Sequence, residues 1–189
     1  APFNNKIKIL LDKLYRLRYG AFAPLLMAIF SRDSDYNVDE LCELLNLMER
    51  YIFLIFKISQ RRSNTGDSSF YTYARQYYNK ELAFIDIIGK EYNKADNNWY
   101  GITGWLTKYF KLKSFHEYLL DKFENRNGYY SWNGLSYFLF EYELNLKNQS
   151  RNSTPKINWK DYSESKVDYR SIEHILPQTP SEECWQKEI

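Results

Sequence analysis

Apolar residues recur at spacings of three and four over most of the chain, the period of a helix with one buried face. Ile7, Leu10, Leu11, Leu14 and Leu17 form the first row, with Lys6, Lys8, Lys13 and Arg16 around them. This predicts an amphipathic helix ending near Gly20. Residues 21–32 read as a second, more apolar helix, with Pro24 tolerated in its first turn. Asn37 is a helix cap, and Glu40 can complete a capping box. Val38, Leu41, Leu45, Met48, Ile52 and Ile55 then mark a helix reaching about Arg62, broken by Ser63-Asn64-Thr65-Gly66-Asp67. Phe70, Tyr73, Tyr77, Glu81, Phe84 and Ile88 give one further row, closed near Gly89. A polar loop covers 93–98, and 99–110 reads as a short helix despite Gly101 and Gly104. Ser114-Phe115-His116-Glu117 is a second capping box, opening a helix to about Asn125. Gly128 separates it from a helix over 132–147.

From Asn148 to Tyr169 the periodicity is lost, and 150–170 reads as an extended linker that Trp159 and Tyr162 can pin to the helical body. Ile172, Ile175 and Leu176 then suit a short half-buried strand, which Pro177 ends because it offers no N–H to a ladder. Thr179-Pro180-Ser181-Glu182 is another helix start. The expected fold is mainly α: an irregular multi-helix bundle over 1–149, the linker over 150–170, and an extended C-terminal tail over 171–189 carrying one strand.

Composition narrows the class. Aromatic residues make up 19% of the chain, with 18 Tyr among them, so rings with polar tips can fill half-buried helix seams. With 7 Gly and 5 Pro, a many-turned β protein is disfavoured. The net charge of +2 is too small for a dedicated, strongly basic nucleic-acid-binding domain. Cys42 and Cys184 form no CxxC pair and suit a reducing, cytoplasmic setting. The apolar runs 21–30 and 51–58 fall well short of the roughly 20 residues that span a bilayer. No membrane partner is expected. The chain opens Ala-Pro-Phe and ends just after a helix start, which reads as an excised piece of a longer protein.

His174 is the main candidate for chemistry. A histidine beside Glu173, at a stiff strand end, can act as a general base near neutral pH. It can equally be a satisfied polar residue at a strand end. His116 follows a cap and reads as solvent-facing. The clusters Lys6/Lys8/Lys13/Arg16/Arg18, Lys57/Arg61/Arg62 and Lys108/Lys111/Lys113 are candidate phosphate contacts, or ordinary solvated helix faces. No P-loop, GxGxxG, HExxH or Ser-His-Asp ordering is present.

Glu173-His174-Ile175-x-Pro177 resembles the first catalytic strand of the HNH (His-Me finger) nucleases. The longer string Ile172-Glu173-His174-Ile175-Leu176-Pro177-Gln178 resembles the C-terminal nuclease domain of the GmrSD-type restriction endonucleases. Trp132-Asn133-Gly134-Leu135-Ser136-Tyr137-Phe138-Leu139-Phe140-Glu141-Tyr142-Glu143 is similar to that family's helix shortly before the nuclease domain. The resemblance implies a DNA endonuclease of a restriction or defence system. In it, a nucleotide-using domain comes first and the helical part links that domain to the nuclease. By the same resemblance His174 is the catalytic base and Glu173 a metal ligand, with Mg or Mn in the complete nuclease domain. Adjacent strand residues point to opposite faces, so both can aim inward only from a bulge or a strand end. Glu141 and Glu143 resemble family positions, and also suit a solvated helix face. A complete HNH site needs a second strand and a helix with further Asn, His or Asp ligands, so this piece is expected to bind no metal strongly and to cleave no DNA. The competing reading is a non-catalytic helical interaction or scaffold module.

Overall fold

Asn37 caps its helix as its side chain dictates: Oδ1 accepts the backbone N–H groups of Asp39 (3.0 Å) and Glu40 (3.3 Å). In a computed structural model of the chain, residues 4–32, 36–59, 61–89, 92–93, 98–125, 133–149 and 158–164 are described. They are mainly helical. The helices are α1 (Asn5–Leu17), α2 (Ala23–Arg32), α3 (Val38–Tyr51), α4 (Asp67–Tyr78), α5 (Phe84–Ile88), α6 (Gly101–Tyr109), α7 (Leu112–Asn125), α8 (Leu135–Gln149) and α9 (Trp159–Glu164). A 3₁₀ turn (Gly20–Phe22) precedes α2, and a π-helical segment (Ile52–Ile58) continues α3. The chain divides into two compact units, 1–138 and 139–189.

In the first unit α3 is the central helix. Leu41, Leu45, Met48, Ile52 and Ile55 are all fully buried, as the spacing predicts. Leu44, Leu47, Tyr51 and Ile58 are buried as well, because α1, α5 and α6 all pack against α3. A single amphipathic stripe therefore understates how much of this helix is enclosed. Phe22, Tyr51 and Phe70 form an aromatic cluster where the 3₁₀ turn, α3 and α4 meet. Phe22 stacks on Phe70 at 4.4 Å, and Tyr51 meets Phe70 edge-on at 5.2 Å. The Tyr51 hydroxyl donates to the Thr65 carbonyl at 3.0 Å. Burial raises that hydroxyl's pKa, with the charges of Tyr109 and Asp67 adding to the effect.

Several boundaries differ from the sequence reading. α1 ends at Leu17, where Arg18 turns left-handed (φ 64°), before the glycine expected to close it. The helix expected over 70–88 is two helices, α4 and α5. Lys80 is also left-handed (φ 65°), and the break is bridged by Tyr77 stacked on Phe84 at 5.1 Å. α7 begins at Leu112, so Ser114 lies inside the helix; the Phe115 N–H bonds the Lys111 carbonyl at 2.9 Å. α8 runs from Leu135 to Gln149. In the second unit α9 occupies part of the expected linker. The Trp159 and Tyr162 rings lie 5.1 and 6.1 Å from Phe140 of α8, so the pinning by these two residues is real but takes helical form. The strand expected at 172–176 lies outside the described residues.

The junction of α5 and α6 depends on two glycines in close contact. A two-residue antiparallel ladder, β1 (Tyr92–Asn93) with β2 (Asn98–Trp99), lies between these helices. Gly89 has φ +76°, and a Cβ on it would sit 1.7 Å from the Tyr100 carbonyl oxygen. Gly101, at φ +65°, would meet the Ile87 carbonyl at 2.4 Å. No L side chain fits either position without moving the backbone.

Candidate functional site

Glu173 and His174 lie outside the described residues. His116 is exposed on α7, as expected of a solvent-facing residue. On α8, Glu143 is exposed and Glu141 half-buried. Among the described residues no group of three or more His, Cys, Asp and Glu side chains could hold a metal ion. None of the described helices is long and apolar enough to cross a membrane.

The first turn of α8 sits on α3 and the π-helical segment. The Tyr137 hydroxyl donates to Glu49 Oε1 at 2.7 Å, and its ring lies 5.6 Å from that of Phe53. Gly134 allows the close approach: a Cβ there would be 3.0 Å from the Phe53 ring and 3.1 Å from Lys57 Cβ. Tyr137 is buried while Phe138 and Leu139 are exposed, so the Tyr137 ring and hydroxyl help anchor the start of this helix. Residues 114–189 match the GmrSD restriction endonucleases, C-terminal domain. The match begins inside α7, takes in α8 and α9, and extends through the Glu173-His174 string that carries the resemblance. The matched segment therefore includes Tyr137, while its partner Glu49 lies upstream of the match. No curated protein and no solved structure matches the chain.

A second feature gathers residues that look unrelated in sequence. From Ile52 to Ile58 the backbone is π-wound: the Ser59 N–H reaches back five residues to the Leu54 carbonyl at 2.9 Å. π-Helical segments are rare and frequently lie at functional sites. This one carries Lys57 and leads into Arg61. The Arg61 guanidinium lies over the Tyr109 ring at 5.1 Å. Lys108 Nζ lies 5.2 Å from the Trp105 ring centre and 5.4 Å from that of Tyr109. Trp105 and Tyr109 stack at 5.6 Å with 20° between their planes. Trp105 is fixed from behind by a hydrogen bond with the Tyr73 hydroxyl and by an edge contact to Phe70 at 6.5 Å. The indole N–H can only donate, so the Tyr73 oxygen accepts. Burial lowers the Lys57 ammonium pKa, and the charge of nearby Arg18 lowers it further. Arg18 thus lies near Lys57, and Arg61 and Lys108 share the Tyr109 ring, so members of the three basic clusters pair across elements. The aromatic pair that supports two of these cations was not foreseen. Its only sequence signal is the spacing of Trp105, Lys108 and Tyr109 along one helix.

Proposed function

We propose that this chain is part of a DNA endonuclease of a restriction system, in which the helices before residue 114 carry and position the GmrSD-type C-terminal domain. The GmrSD match over 114–189 supports this reading, and the anchoring of α8 through Tyr137 and Glu49 supports the positioning role. His174 is the general base that takes a proton from the attacking water, and Glu173 a metal ligand beside it. A divalent metal, Mg or Mn, belongs to the complete nuclease domain; the described residues supply no ligand set for it. The same reading places a nucleotide-using domain before the helices, with the whole protein acting in the cytoplasm. The test is plasmid cleavage by the full-length protein, with Mg or Mn and with a chelator. Metal-dependent nicking or linearisation is expected. No cleavage of any DNA, modified or unmodified, would overturn the nuclease reading in favour of a helical scaffold.

A further inference from the structure

We propose that Arg18, Lys57, Arg61 and Lys108 form a DNA-docking face on the helical unit, which grips the phosphate backbone of duplex DNA without reading its sequence. The choice of DNA as partner rests on the nuclease reading; the geometry of the face does not. The four cations come from the α1 C-terminus, the π-helical segment, the residues just after it, and α6. Among the described residues none of the four is paired with a carboxylate. Like charges brought close repel, and an anion between them relieves that repulsion.

The aromatic mount accounts for the geometry. A guanidinium or ammonium over a ring face gains cation–π attraction yet keeps its outward N–H groups for another acceptor. Arg61 and Lys108 both lean on the Trp105–Tyr109 stack, whose Trp105 is in turn contacted by Tyr73 and Phe70. The ring faces are thereby used by cations, which argues against base stacking and for phosphate contact. The π-winding sets the position from which Lys57 and Arg61 project. Burial is the main cause of the lowered Lys57 pKa, and the charge of Arg18 adds to it, which sets these two cations near each other.

The test is fluorescence anisotropy with the full chain and a mixed-sequence duplex, in a chelator so that no cleavage occurs. Wild type should bind with an affinity that falls linearly in log salt. Arg61→Glu with Lys108→Glu should weaken binding by about tenfold or more and flatten the salt slope by about two, one for each lost phosphate contact. Arg61→Lys with Lys108→Arg should keep both properties. Three results would overturn the proposal: no binding by wild type, no effect of the reversal, or an equal loss from Lys6→Glu with Lys8→Glu on α1. Equal binding to a polyglutamate chain would also overturn it, and would make the partner an acidic protein surface. Because binding is read without cleavage, failure of this face and failure of the nuclease reading are separate outcomes.

Discussion

Truncating Ile52 to Ala tests whether the α-to-π junction is a packed core. Ile52 is fully buried, begins the π-helical segment, and sits between fully buried Met48 and Ile55. The change removes three carbon groups; at about 0.8 kcal/mol each, lost burial alone costs about 2.4 kcal/mol. A residual cavity adds a term that grows with its volume, so the total falls in the range of about 2–5 kcal/mol. Ile52→Val should cost only about 0.5–1.5 kcal/mol. Met27→Ala, at a residue 69% exposed, should stay within about 0.5 kcal/mol of wild type. The assay is urea unfolding followed by far-ultraviolet circular dichroism. With a slope of about 1–3 kcal/mol per molar, a loss of about 3 kcal/mol moves the midpoint by about 1–3 M at unchanged slope. A loss below about 1 kcal/mol for Ile52→Ala would refute the packing of α3.

Other outcomes follow from single contacts. Gly89→Ala should destabilise the fold by about 2 kcal/mol or more, from left-handed strain plus the forced shift of the Tyr100 carbonyl; wild-type stability in the same assay would contradict it. Tyr137→Phe should cost about 1–2 kcal/mol by removing the donor to Glu49, and a double-mutant cycle with Glu49→Gln should show coupling between the two changes. Burial raises the Asp67 carboxyl pKa, against a hydrogen bond from Tyr71, and its Oδ1 is buried without a hydrogen-bond partner among the described residues. A raised folded-state pKa means that this group favours folding below its unfolded pKa, an advantage lost as pH rises through the folded value. Asp67→Asn should therefore be more stable relative to wild type near neutral pH than in acid, and a difference that grows on acidification would contradict the assignment.

The helical class and the buried face of α3 were legible because they rest on spacing and a local cap, both written in consecutive residues. The π-winding was not, since Ile52, Ile55 and Ile58 at spacing three serve either helix type. The break between α4 and α5 was hidden because Lys80 takes a left-handed turn without the glycine that usually marks one. Ser114 misled because a capping box is a local preference, while Leu112 and Phe115 extend the helix a turn earlier and Phe115 packs on Phe110 at 5.2 Å. The basic clusters were legible as candidate phosphate contacts, but the meeting of Arg61 and Lys108 on the Trp105–Tyr109 stack was not, because Arg61 lies far from that helix in sequence. The reading of His174 rests on a short motif alone, and the residue lies outside the described residues.

The most direct measurement is the DNA-cleavage rate of the full-length protein and of its His174→Ala form, with Mg or Mn, alongside thermal unfolding of both. The His174→Ala rate should be lower by about 10²–10⁴-fold, the usual contribution of a general base, with folding nearly unchanged. Equal cleavage by the two proteins would contradict this and leave His174 without a catalytic role.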